Sequence, residues 1–222
     1  MFFSGAIFDL DGTLIDSMGI CESIDKELLA KWEKEPGEGH TEAVRSMGFK
    51  ESAKYIIERY GINVSAAEFI RQWNEAALRH YSSVRMKAGA REYVEALTKA
   101  GVKTAVLTAA PRMLLEAALI GNGISDLFDV IIPSSETGMS KKQPELFFLA
   151  AKRLGVDAAQ CMVFEDLYMA AKSAKEAGMM VTAVHDVYAG HEEEAMRSLA
   201  DRYITDFNEI LHEDTPLYKS GE

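Results

Sequence analysis

Cysteine, positive charge and long apolar runs are all scarce in this chain of 222 residues. The two cysteines, Cys21 and Cys161, stand far apart and without metal-ligand spacing, which gives a disulfide framework little support and suits a reducing cytoplasm. Lys and Arg number 24 against 35 Asp and Glu, a formal net charge of -11. That balance works against long phosphate backbones and anionic lipid surfaces, so neither nucleic acid nor a membrane is expected as a partner. A small anionic substrate stays open, because a lysine or a bound metal reverses the field inside one pocket. No apolar run approaches membrane-spanning length, and the opening MFFSGAIFDLDG has no basic leader, so a soluble cytoplasmic protein is expected. The five histidines, His40, His80, His185, His191 and His212, form no ligand spacing. What the chain does have is a content of 48% hydrophobic residues, enough for one sizeable core plus a smaller lobe.

Short runs rich in Val, Ile and Phe recur as AIFDL (6–10), TAVLT (104–108), DVIIP (129–133), CMVFE (161–165) and MVTAV (180–184), and each reads as a buried strand. From residue 87 onward they alternate with the helical patterns REYVEALTKAG, PRMLLEAALIGNG, PELFFLAAKRLG and AAKSAKEAG, most closed by a Gly suited to the left-handed residue after a helix. Alternation of this kind predicts a doubly wound parallel α/β sheet covered on both faces. Roughly 90 residues separate the first two strands where a crossover needs only about 30, so something is inserted there. Residues 17–86 read as helix throughout, in CESIDKELLAKWEKE, ESAKYIIERYG and SAAEFIRQWNEAALRHY, with Ser65 and Glu68 spaced as in a capping box. EKEPGEGH (33–40) is the most loop-like part of this stretch. The expected organisation is a sheet-bearing core of 1–16 and 87–222 carrying a helical cap, 17–86, read as a mobile or semi-mobile lid. There is no internal repeat.

In an open parallel sheet, ligands bind beyond the carboxyl ends of the strands. The first strand ends in FDLDGTL, where Asp9 and Asp11 are two apart and project to one side. Gly12 permits a tight turn and Thr13 adds a hydroxyl. Two carboxylates on an apolar strand are costly to bury without a cation or a shared proton, which is a reason to suspect a metal. The second strand ends with the Thr108 hydroxyl and the Ala109 amide just before Pro111, an arrangement suited to an oxyanion. In SKKQPELF, Lys141 precedes a Pro-Glu helix start and can reach the site from the side, with Lys142 as the competing choice. The fourth strand ends in VFEDL, where Glu165 and Asp166 offer the hard oxygens that magnesium favours. Arg45 and Lys50 flank SMGF on a turn between helices, where a substrate-reading loop would face the core, although solvation at the surface is the better reading.

These elements in this order, D-x-D-G-T-L, a strand-end Thr, a Lys before x-x-P-E and a strand-end E-D, resemble the haloacid dehalogenase superfamily of hydrolases along the whole chain. The helical insertion resembles the cap of the branch that contains the phosphoglycolate phosphatases and beta-phosphoglucomutases. The resemblance implies Asp9 as a nucleophile that becomes phosphorylated, Asp11 as general acid and base, and Thr108 and Lys141 as holders of the transferring phosphoryl group. It also implies a Mg2+ ion bound by Asp9, Asp166 and the main-chain carbonyl of Asp11, with Glu165 a direct or water-mediated ligand. An acid at position 11 favours phosphoryl chemistry over dehalogenation. The expected activity is hydrolysis of a small phosphorylated metabolite by a monomer or weak homodimer. A sugar phosphomutase is the alternative, and a catalytically silent metal-binding regulatory protein comes third. The chain departs from the family pattern in LYMAA after Asp166 and in Ser140-Lys141-Lys142 where G-K-P is common.

Overall fold

A computed structural model describes residues 3–45, 47 and 49–211. Six parallel strands form one sheet: β1 (Gly5–Phe8), β2 (Lys103–Thr108), β3 (Val130–Pro133), β4 (Cys161–Glu165), β5 (Met180–Val184) and β6 (Arg202–Ile204), in the order β3-β2-β1-β4-β5-β6. Helices α1 (Ile20–Ala30), α2 (His40–Arg45), α3 (Phe49–Tyr60) and α4 (Ala66–Ser83) all fall between β1 and β2. The crossovers carry α5 (Ala90–Lys99), α6 (Arg112–Gly121), α7 (Pro144–Leu154), α8 (Tyr168–Glu176) and α9 (Glu193–Leu199).

Strand side chains alternate between two cores because the pleat turns successive residues to opposite faces. Ala6, Phe8, Val106, Met162 and Phe164 face one cluster with α5 and α6, while Ile7, Ala105, Leu107, Val163 and Val181 face another with α7 and α8. Phe8 stacks on Phe164 with ring centroids 4.5 Å apart, and Tyr93 meets both edge-on. The two outer strands are pinned alike. Asp129, just before β3, accepts from Thr104 N at 2.9 Å and pairs with Lys103, and Asp201, just before β6, accepts from Val181 N at 2.7 Å and pairs with Lys175.

The inserted helices share the first of these cores, since Ile24, Leu28, Ile56, Phe69 and Ala76 belong to the same buried cluster as Phe8. Helix α4 lies against α6 so closely that a Cβ on Gly121 would sit 2.0 Å from Ser82 O. The two chain crossings into the insertion pair with each other: Ile15 bridges Met86, Asp16 N bonds Arg85 O at 2.9 Å, and Lys87 N bonds Leu14 O at 2.9 Å.

Several sequence expectations need correction. The insertion is not helical throughout, because α1 stops at Ala30 rather than running to residue 35, and Glu33 takes a positive φ of 57° as the chain turns. That turn lets Trp32 stack on Phe69. The loop-like stretch expected over 33–40 from Pro36 and its glycines stops short of His40, which already opens α2. Ser65 caps α4 by accepting from Glu68 N at 3.2 Å. Strand β6 and helix α9 have no counterpart in the sequence reading; three residues are too few to show a period. Lys50 is exposed, whereas Ser46, Gly48 and His212, together with the Arg45 side chain, lie outside the described residues.

Candidate active site

The register sets the site. Phe8 lies opposite Val106 on one side and Phe164 on the other, so Asp9 leaves β1 beside the strand ends that carry Thr108 and Glu165. This is the crevice where the strand order reverses, the general ligand position of such sheets.

Asp9, Glu165 and Asp166 are buried and present carboxylate oxygens within 4.8 Å of one another. Lys141 Nζ lies 2.6 Å from Asp9 Oδ1 and also pairs with Glu165 Oε2. The turn that delivers it is braced by Ser140 N donating to Gln143 Oε1 at 2.8 Å and Gln143 N donating to Ser140 O at 3.0 Å. Lys141 therefore points inward, while its competitor Lys142 is exposed. Burial pushes the Lys141 ammonium down, but the carboxylates of Asp9 and Glu165 outweigh it and hold the group above its ordinary value. Burial, then neighbouring carboxylates, pushes the Asp166 carboxyl up, and burial does the same to Glu165 against the pull of Lys141.

Three carboxyl groups thus meet one ammonium, so they cannot all ionise there without a further cation. Asp166 Oδ2 is buried with no hydrogen-bond partner among the described residues, while Asp166 Oδ1 accepts from Thr13 Oγ1 at 3.3 Å. An orphaned carboxylate oxygen in an acidic group is the donor set of a hard divalent cation, and magnesium fits it. Glu165 is more fully engaged, with Oε1 accepting from Leu167 N at 3.1 Å and Oε2 paired to Lys141. Gly12 has a positive φ of 81°, and a Cβ there would fall 2.5 Å from Asp166 Oδ2, so both conformation and space require glycine.

The carboxylate of Asp11 does not join that acidic group. Its Oδ1 accepts from Ser17 Oγ at 2.6 Å and from Tyr81 OH at 2.8 Å. Burial, followed by the charge of Asp9, pushes the Asp11 carboxyl up, against both hydroxyl donors. Asp11 faces a cleft of about 450 Å³ walled by Ser17, Met18, Cys21, Tyr81 and Tyr188. Thr108 is buried at the end of β2, and its Oγ1 accepts from Ala110 N at 3.0 Å, which leaves the hydroxyl proton to be donated; the neighbouring Ala109 is exposed. Sequence reasoning missed Ser17, Tyr81 and Tyr188. Ser17 follows Asp11 by six residues and was within reach of a local reading, but Tyr81 and Tyr188 carry no local signal because only folding brings them to the cleft.

Fold and site together define a doubly wound α/β protein with an acidic, lysine-backed centre at its switch point. The chain belongs to the haloacid dehalogenase-like hydrolase family, whose pattern matches residues 6–184. It is 31% identical over 184 residues to the bifunctional riboflavin kinase/FMN phosphatase of Arabidopsis thaliana, covering 82% of this chain but 48% of that one, so it spans about half of that relative's length. It is 29% identical over 215 residues to validoxylamine A 7'-phosphate phosphatase of Streptomyces hygroscopicus subsp. limoneus, covering 92% and 94% of the two chains. Its fold matches the crystal structure of CbbY from Rhodobacter sphaeroides in complex with phosphate, with a TM-score of 0.74 at 23% identity over 94% of this chain and 96% of that one.

Proposed function

We propose that the protein is a magnesium-dependent phosphatase that hydrolyses a small phosphorylated metabolite through a phosphorylated Asp9. The observation that carries this reading is the contact of Asp9 with Lys141, 2.6 Å apart, beside the unpartnered Asp166 Oδ2. Relatives named as phosphatases of FMN and of validoxylamine A 7'-phosphate support the same chemistry.

In the first step an Asp9 carboxylate oxygen forms a bond to phosphorus while the bond from phosphorus to the ester oxygen breaks. Asp11, whose carboxyl burial and then the charge of Asp9 push above its ordinary value, gives its proton to the departing alkoxide. Both hydrogen bonds from Ser17 and Tyr81 go to Oδ1, so the proton to be transferred sits on Oδ2. In the second step Asp11 takes a proton from water as that water attacks phosphorus, which releases phosphate and restores Asp9. Lys141 and the Thr108 hydroxyl hold the phosphoryl oxygens, aided by the Ala109 amide, and Glu165 holds Lys141. Asp9, Asp166 and the Asp11 carbonyl would hold a magnesium ion, which when bound would neutralise charge on the phosphoryl group. Helices of 17–86 act as the cap, with Tyr81 of α4 reaching the acid from above.

Phosphate release with magnesium present, compared between the native chain and Asp9→Asn, tests this reading. The variant is expected to keep its fold and lose turnover, and persistent turnover in Asp9→Asn would sink the assignment. Beryllium fluoride is expected to occupy the Asp9 oxygen in the native chain.

A further inference from the structure

A second cavity lies inside the insertion, about 210 Å³ in volume, among α1, α2, α3 and α4. Cys21 lines both this cavity and the cleft at Asp11, so the two spaces adjoin at that residue. Its wall is largely apolar: Val44, Met47, Ala53, Ile56, Phe69 and Trp73. The polar groups in the wall are turned toward one another. Asp25 Oδ1 accepts from Trp73 Nε1 at 3.0 Å, and Asp25 Oδ2 meets His40 Nε2 at 3.0 Å, whose Nδ1 in turn meets Tyr60 OH at 3.1 Å. Ser52 Oγ donates to Val44 O at 3.3 Å.

The cleft carries Asp11 with the phenols of Tyr81 and Tyr188, whereas the inner cavity is walled mainly by apolar side chains, and the two share Cys21. A polyhydroxylated group entering the inner cavity would exchange water for a wall whose polar atoms, among the described residues, are already engaged, and its hydroxyls would lose hydrogen bonds there. A cationic group would meet the Asp25 oxygens only in competition with the His40 and Trp73 contacts they already make. An apolar group suffers neither loss, and an apolar cavity of roughly 150 Å³ already admits a benzene ring.

We propose that this cavity is the subsite for the alcohol portion of the substrate, and that the substrate class is a phosphate monoester whose alcohol bears one ring-sized apolar group. The phosphate end lies at Asp9 and Lys141, a short stem passes Asp11 and Cys21, and the apolar end rests against Ile56 and Phe69. The proposal rests on the phosphatase reading above and deepens it.

Esters of primary alcohols with similar leaving groups test it: ethyl phosphate, 2-phenylethyl phosphate, glycerol 3-phosphate and glucose 6-phosphate, each with magnesium. The expected kcat/KM for 2-phenylethyl phosphate exceeds that for each of the other three by about tenfold or more. Ala53→Leu, which projects extra methyl groups into the cavity, is expected to reduce the preference for phenylethyl over ethyl to within about twofold. Equal or better turnover of the sugar ester, or a preference that survives Ala53→Leu, would overturn the assignment. Turnover of ethyl phosphate with no gain from the ring would overturn the subsite alone and leave the phosphatase standing. No release from any ester would remove both. If Ala53→Leu fails to fold, calorimetry on the native chain decides: 2-phenylethylphosphonate is expected to bind about tenfold more tightly than ethylphosphonate, and equal affinity would overturn the proposal.

Discussion

Asp9 and Asp11 are two residues apart, yet their surroundings separate them. Asp9 faces an ammonium, whereas Asp11 is buried among hydroxyl donors and held above the usual carboxylate range. Such a difference between neighbouring acids is how one site obtains a nucleophile and a proton donor. Tyr81, 70 residues further along the chain, donates to Asp11 Oδ1 and would bear on the proton-donor role proposed for it. Tyr81→Phe is therefore expected to lower kcat by about tenfold, the loss of one hydrogen bond to a charged or charging group, with KM little altered. Steady-state kinetics check this, and an unchanged kcat would show that the phenol is only a spacer. Gly12→Ala is expected to lose phosphatase activity and magnesium affinity together, because the added methyl group meets Asp166 Oδ2 at 2.5 Å and the backbone keeps a positive φ. A magnesium titration followed by calorimetry would reveal it, and an unaltered isotherm would contradict it.

At the level of elements, the outer strands and the α4–α6 contact are the parts that can be tested separately from catalysis. Partial burial opposes ionisation of Asp201, but the Lys175 ammonium and the Val181 N–H more than offset this and hold its carboxyl below the usual value. A folded-state value lower than the unfolded one contributes stability above the unfolded value, near 3.8, and that contribution disappears as pH falls through the folded value. Asp201→Asn is accordingly expected to destabilise the protein at pH 7 by about 1 kcal/mol and to match the native chain in strong acid. Urea melts across that range measure it, and a gap that does not narrow on acidification would refute the linkage. Gly121→Ala places a methyl group 2.0 Å from Ser82 O, so α4 must shift away from α6. Overpacking of this kind costs about 1–3 kcal/mol. Because α4 carries Tyr81, activity should fall along with stability.

For the whole molecule, the central quantity is the excess of buried acids over cations at the switch point. Asp9, Glu165 and Asp166 share one buried lysine, so ionising all three in the folded chain costs repulsion that a bound divalent cation would relieve. Magnesium at about a hundred times its dissociation constant is expected to stabilise the protein by about 2.7 kcal/mol and to raise the thermal midpoint. Asp166→Asn should lose most of that rise, and an equal rise in the variant would remove Asp166 from the ligand set. The molecule has no helix among its described residues that is long and apolar enough to cross a membrane. The insertion shares its apolar core with one face of the sheet, so any opening of the cap must be limited to the part nearer Cys21 and Asp25 or must break the contact at Gly121.

Sequence alone determined the strands β1 to β5, the alternation that makes the sheet parallel, and the strand-end residues Asp9, Thr108, Glu165 and Asp166. These are local matters, carried by short apolar runs and by the residue types that end them, so a linear reading reaches them. The spacing before Pro144 already favoured Lys141 over Lys142, whereas tertiary structure alone decided that Lys141 reaches both Asp9 and Glu165, that Tyr81 and Ser17 hold Asp11, and that an apolar cavity shares Cys21 with the cleft. It also decided β6, whose three residues show no period of their own and pair only because Asp201 and β5 are in place. The reason is common to all of them: each depends on groups distant in sequence meeting at one point, and that meeting is a property of packing rather than of any local pattern.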